Sequence, residues 1–313
     1  MITIWVPKRL VEVGLYNVAA RSPAELAALS EQSYRERVRY AAEKVRFSGT
    51  KIVMLTGPSA SGKTTSAHKL AEELERQGTP ARVVSLDNFF RGAQYYPRLP
   101  DGTLDYENPD TLDLPLIRQC LKELNETGKT MLPVYDFSKE ARSSETEEID
   151  LKGGVCIVEG IHALNDDIAG RHPEAAKLYI SARSNILEGE QLRFKGTWMR
   201  ITRRAVRDYN FRGTGVEDTL DMWANVRRGE KLYISPFKNK ADIIFDSSLP
   251  YEVSVMKHYA LPLLEAVPED NVRRGELLEL IDAFQFFQPI DPELVAKGSL
   301  LREFIGGGSY HYV

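Results

Sequence analysis

The run Gly57-Pro-Ser-Ala-Ser-Gly62-Lys63-Thr64 has the spacing G-x-x-x-x-G-K-[ST] and lies between an apolar stretch and a helical pattern over 65–75. Glycines at both ends, Gly57 and Gly62, let the backbone curl until the N–H groups of Ser59, Ala60 and Ser61 face one point, where the following helix adds the positive end of its dipole. That is an anion cradle. Lys63 is then expected to reach the β- and γ-phosphates of a nucleoside triphosphate and Thr64 to take Mg²⁺, with Thr65 continuing the cradle. A turn that merely caps a helix is the alternative, and the agreement of strand, loop, Lys-Thr pair and helix argues against it.

In open α/β sheets ligands bind beyond the carboxyl ends of the strands, which singles out Asp87 and Glu159. Asp87, in Ser85-Leu-Asp87-Asn-Phe-Phe90, could accept the proton of an incoming hydroxyl as a phosphoryl group arrives. An Asx-type turn is its other reading. Glu159 could hold Mg²⁺ directly or through water, or be a solvated glutamate at a loop entry. Residues 193–212 carry seven Lys or Arg against Asp208 alone. Arg200, Arg203, Arg204 and Arg207 stand at i, i+3, i+4 and i+7, one helical face, expected to close over the triphosphate as a lid of about 193–215. An RNA-binding stripe is the rival. Asn239-Lys240-Ala241-Asp242 has the form of a guanine-reading motif, but it precedes an apolar run where such a motif would follow one, and no Asp-x-x-Gly switch ends the strand at Glu159.

The elements that must position these groups are five short Val/Ile-rich runs, 51–56, 81–86, 154–159, 177–182 and 241–246, separated by helical patterns. Runs apolar on both faces predict a parallel sheet covered on both sides, an α/β class. Ser22-Pro-Ala-Glu25 reads as a capping box opening a helix of about five turns, so 1–48 reads as a short extended piece plus helix appended to a domain of 49–265. The stretch 249–268 reads as a helix with Pro262 a kink or break, 272–287 as another, and 266–313 as a C-terminal extension with a loose aromatic tail.

The chain has 313 residues, enough for a substantial core, and a net charge of −4, which argues against a protein devoted to nucleic acid. Without the basic run the remainder is more acidic still, so positive charge is concentrated where a triphosphate would sit. Cys120 and Cys156 are too few for a disulfide framework and read as buried thiols. Neither a signal peptide nor an apolar run of about 18 residues is found, so the expectation is a cytoplasmic protein without membrane contact.

From about residue 51 to 259 the chain resembles the uridine kinase and phosphoribulokinase superfamily, and its bacterial uridine kinase-like nucleoside kinases in particular. The resemblance rests on an ordered series: the phosphate loop, Val84-Ser-Leu-Asp-Asn-Phe-Phe90, Tyr106-Glu-Asn-Pro-Asp110, Pro133-Val-Tyr-Asp-Phe137, Val158-Glu-Gly160, Arg203-Arg-Ala-Val-Arg-Asp208 with Arg212-Gly213, and Ala241-Asp242. It implies a P-loop kinase fold with a helical lid, ATP and Mg²⁺, Asp87 as general base, and Lys63, Thr64 and Glu159 around the phosphates and metal. It also implies lid arginines at Arg204, Arg207 and Arg212, Glu107 on a sugar hydroxyl, and Tyr135 and Phe137 lining the acceptor pocket. Two departures stand out. Glu140 replaces a base-reading histidine, and Met222 or Trp223 falls near a missing glutamine. Tyr95 and Tyr96, in the insertion 91–105, would remodel the same pocket.

The expected reaction is therefore transfer of the γ-phosphate of ATP to a hydroxyl of a small acceptor, first of all the 5′-hydroxyl of a nucleoside. A sugar or polyol kinase is the second reading, and a P-loop switch or RNA-associated ATPase the reading from another class. A small-molecule partner is expected, nucleic acid is not, and a homo-oligomer is compatible with the resemblance.

Overall fold

The computed structural model describes residues 10–310. In chain order the elements begin with β1 (Leu10–Glu12), α1 (Val13–Ala19), α2 (Pro23–Ser48), β2 (Ile52–Thr56), α3 (Lys63–Arg76) and β3 (Ala81–Ser85). Next come α4 (Leu114–Thr127), β4 (Lys129–Asp136), β5 (Ala141–Asp150), β6 (Val155–Glu159), β7 (Ala176–Ser181), β8 (Asn185–Glu188) and β9 (Gln191–Phe194). The chain ends with α5 (Gly196–Phe211), α6 (Val216–Gly229), β10 (Ile243–Asp246), α7 (Glu252–Glu265), α8 (Arg274–Gln285) and the single turn α9 (Arg302–Ile305).

All five expected strands form, within two residues at each end, and pair in parallel in the order β10-β7-β2-β6-β3. Their continuous apolarity has a direct cause. Successive side chains point to opposite faces, so Val53, Leu55, Ile157 and Leu178 enter one core while Ile52, Met54, Cys156, Val158 and Tyr179 enter the other. The order places β2, with the phosphate loop at its end, at the centre of the sheet, flanked by β6 and β7. Both cysteines are buried and free, as expected.

The terminal regions depart from the expectation of an appendage. β1 pairs in parallel with β8, which pairs antiparallel with β9, and α2 runs 26 residues, well beyond five turns, before ending at Gly49 in the left-handed conformation. Tyr34, Val38 and Ala41 of α2 share one buried cluster with Leu280 and Phe284 of α8 and with Phe304 of α9. Described parts of both ends thus complete the core that covers one face of the sheet. Residues 1–9 of the expected extended piece and 311–313 of the expected tail lie outside the described residues. The capping box does not form: Ser22 precedes Pro23 at the first helical position, but its side chain makes no cap hydrogen bond. Leu29, an apolar residue at helical spacing after Leu26, faces solvent. α7 continues through Pro262 to Glu265 instead of breaking there.

The basic segment splits. Arg193 and Phe194 belong to β9, and the helix starts at Gly196. Arg203 is wholly buried, its guanidinium forked onto Glu252 at 2.5 and 2.8 Å while donating to the carbonyls of Ala60 and Ser247. It ties α5 to α7, to the phosphate loop and to the end of β10. Removing one partner of such a pair leaves an unpaired charge inside the protein. Arg203→Ala is expected to lose about 3–5 kcal/mol of unfolding free energy in a urea titration; a loss below about 1 kcal/mol would mean the pair is not what anchors the helix.

Candidate active site

A cleft of about 330 Å³ opens at the carboxyl ends of β2, β3 and β6. Its floor is the phosphate loop, of which Ser59, Ala60, Gly62, Lys63 and Thr64 line the space. Gly57, Ser61 and Thr65 stand behind them: a Cβ on Gly57 would collide with the Ile180 carbonyl, and the Ser61 hydroxyl is buried without a protein partner. Gly62 has φ +81°, a backbone state costly for other residues, and hands the chain directly to the first turn of α3. The Lys63 ammonium is folded back onto the loop, donating to the Pro58 carbonyl at 3.2 Å. Burial holds its pKa below the usual lysine range, opposed by Glu159, Asp87 and Glu303.

Asp87 and Glu159 come together as expected. The Ser85 hydroxyl links them, donating to Glu159 Oε1 at 2.8 Å and accepting from the Asp87 N–H at 3.3 Å. Glu159 is nearly inaccessible to water, and burial, with the neighbouring Asp87 charge, pushes its carboxyl up to about 7 against Lys63. Asp87 still opens onto the cleft, yet crowding by protein raises its carboxyl, opposed by Lys63, Arg212 and Arg207. Ser85 was within reach of sequence reading, since it is the last residue of β3 and two before Asp87.

The arginines sort by partner. Arg204, Arg207 and Arg212 line the cleft opposite Asp87, all gathered on the buried Asp208 carboxylate at 3.2, 2.7 and 3.7 Å, and Arg204 also donates to the Ser59 hydroxyl at 2.8 Å. Arg200 and Arg203, expected on the same phosphate face, do not belong to it. Arg200 is buried on Glu230 at 2.9 Å and donates to the Ser59 carbonyl, so it shapes the loop from behind. With both turned inward, the four arginines do not form one exposed stripe on α5. Asp208, the lone acid of the basic segment, is the organiser of the three cleft arginines.

Glu107 and Phe137, expected at an acceptor pocket, line the cleft beside Asn88 and Ile161. Burial pushes Glu107 up to about 7, against Arg204 and Lys63, and its Oε2 lacks a protein partner. Tyr135 is buried behind Phe137, ring centroids 5.1 Å apart, in a group with Phe90 and Tyr96, whose hydroxyl lies 3.4 Å from that of Tyr135. Tyr135 therefore backs the pocket rather than lining it, and of the insertion's two tyrosines Tyr96 joins this wall while Tyr95 is exposed. Glu140 sits in the β4–β5 turn with φ +47° and is exposed outside the cleft lining. Trp223 is buried against Arg200, and Met222 is largely outside. The Asn-Lys-x-Asp motif is structural: the Asp242 carboxylate accepts from the Lys177 N–H and Lys240 pairs with Asp166. A cleft residue that sequence reading missed is Glu303, from the far end of the chain, whose carboxylate accepts from Thr65.

The family model described as "Phosphoribulokinase / Uridine kinase family" matches residues 52–254. A uridine kinase of Lactobacillus helveticus (strain DPC 4571) is 29% identical over 206 residues, 65% of this chain and 90% of that protein. Uridine kinases of Staphylococcus epidermidis (strain ATCC 12228 / FDA PCI 1200) and Macrococcus caseolyticus (strain JCSC5402) are 30% and 32% identical, covering 66% and 63% of this chain and 92% and 88% of theirs. Among solved structures, one titled a possible uridine kinase from Bacillus stearothermophilus aligns with TM-score 0.48 and 18% identity, over 68% of this chain and 98% of that one.

A carboxyl with a raised pKa binds its proton more tightly in the folded protein than in the unfolded chain. Stability is then full below about 4.5 and falls as pH rises through about 7. Without divalent cations, wild type is expected to lose roughly 3 kcal/mol more than Glu159→Gln between pH 5 and pH 8 in chemical denaturation; parallel curves would show that Glu159 is not strained by its burial.

Proposed function

The chain belongs to the phosphoribulokinase / uridine kinase family, and from that premise we propose that it transfers the γ-phosphate of ATP to the 5′-hydroxyl of a nucleoside. The observation that carries this reading is the convergence, in one cleft, of an anion-binding loop, three cleft-facing arginines and a carboxylate at a strand end. The acceptor hydroxyl loses its proton to Asp87 as its oxygen bonds to the γ-phosphorus, and the bond from that phosphorus to the β–γ bridging oxygen breaks to release ADP. Lys63, Arg204, Arg207 and Arg212 supply the fixed positive charge that meets the equatorial oxygens of the moving group. Glu107, with a buried carboxylate oxygen lacking a partner, suits a sugar hydroxyl, and Phe137 suits the flat face of a base.

The residues fit Mg²⁺. Glu159 and Asp87 face each other as buried and half-shielded acids that a cation would relieve, and Thr64 adds a hydroxyl on the cleft wall. Mg²⁺ commonly takes only one or two protein ligands and fills its remaining positions with water and phosphate oxygens. When bound, it would neutralise charge on the β- and γ-phosphates. Among the described residues no helix is long and apolar enough to cross a membrane.

Asp87→Asn is expected to lower kcat about 10²–10⁴-fold while the ATP dissociation constant stays within a few fold; near-normal turnover would remove Asp87 from the role of base. In a coupled assay, ADP release should depend strictly on an added acceptor, with nucleosides the best class in a panel that includes sugars and polyols. The exposed position of Glu140, where the family reads the base, is what supports the sugar or polyol reading, and turnover confined to those compounds would establish it.

A further inference from the structure

One donor of the cradle at the first turn of α3 is already taken by a carboxylate of the same chain. Glu303 of α9 is buried, and its Oε2 accepts from the Thr65 N–H at 3.3 Å and the Thr65 hydroxyl at 2.5 Å. Thr65 is the third residue of α3, so its N–H is one of the donors that a helix start leaves without a partner in the helix. In a phosphate loop those donors serve the α- and β-phosphates of the nucleotide. A carboxylate there is an anion in the phosphate's place.

The residues around Glu303 occupy the adjoining space. Leu300, fully buried, lies so close to Gly62 that a Cβ on that glycine would strike its methyl groups. Phe304, fully buried, stacks over the Arg203 guanidinium at 5.2 Å and its carbonyl accepts from Asn210 at 3.4 Å. Beyond a turn at Gly306 and Gly307, both at positive φ, Tyr310 stacks on His68 at 5.4 Å and 15°. The segment thus spans the start of α3 and the inner side of α5. A triphosphate seated on the loop would bring a phosphate against the Glu303 carboxylate, two anions in a water-poor site.

We propose that residues 299–310 form a plug that competes with the donor nucleotide for the phosphate loop, Glu303 standing in for a phosphate, so that ATP binding and release of this segment are one coupled event. This rests on the kinase reading of the same cleft. The coupling is reciprocal: whatever holds the segment down weakens nucleotide binding, and bound nucleotide frees the segment.

Two measurements on the full chain test it. Hydrogen exchange of the wild-type amides at 299–305 is expected to quicken at least tenfold with saturating ATP and Mg²⁺. Titration calorimetry with ATP is expected to give Glu303→Ala a dissociation constant at least fivefold below wild type, with the acceptor KM within twofold. If ATP binds and turns over while exchange at 299–305 is unchanged or slowed, or if Glu303→Ala binds ATP no tighter than wild type, the plug is overturned and the kinase reading stands. If neither form binds ATP, both fall. The exchange measurement needs no variant, so a Glu303→Ala chain that failed to fold would still leave the proposal open to refutation.

Discussion

The first turn of α3 presents backbone N–H groups that the helix itself cannot satisfy, at the positive end of the helix dipole and at the centre of the sheet. That one demand for an anion organises the cleft. Gly57 and Gly62 exist to let the backbone approach it, Lys63 adds charge to it, and the arginines of α5 extend it outward. Within the chain the Glu303 carboxylate meets it at Thr65, and the Pro58 carbonyl takes the Lys63 ammonium.

The arginines are useful only because acids elsewhere in the chain hold them apart. Glu252 takes Arg203 and Glu230 takes Arg200, and these buried pairs fix the helix against the sheet and shape the loop. Asp208 alone gathers Arg204, Arg207 and Arg212, so three guanidinium groups share one carboxylate and retain net positive charge toward the cleft. On the other wall crowding by protein raises the pKa of both Asp87 and Glu159, and the Asp87 charge adds to the rise at Glu159. The cleft is therefore polarised, cationic along α5 and acidic at the ends of β3 and β6, which is the arrangement a phosphoryl transfer between a triphosphate and a hydroxyl requires.

Much of this was legible in the residues. The phosphate loop is a local object, its glycines, lysine and threonines all within residues 57–65, and strands buried on both faces must be apolar throughout, so both could be read without knowing what surrounds them. Asp87 and Glu159 followed from the rule that parallel sheets bind ligands at one edge. Other readings failed for identifiable reasons. Ser22 has the right type and spacing for a cap, but a cap also needs a side-chain geometry that the observed chain does not adopt. The terminal regions read as appendages because their helical periodicity says which face is apolar and nothing about which surface covers it.

The four arginines of α5 show where sequence information stops. Their spacing determined that they share a helical stripe, yet that stripe is wide enough to reach both the protein interior and the cleft, and Arg203 and Arg204 are neighbours with opposite fates. Glu252 and Glu303 lie 49 residues from Arg203 and 238 residues from Thr65 respectively, distances for which no spacing rule exists. The sequence by itself determined the groups bound to one another through the backbone: the loop, the strands and the acids at their ends. Only the tertiary structure decided which charges pair, because an ion pair depends on separation and burial in space, and the net charge of −4 is the same for every way of pairing them.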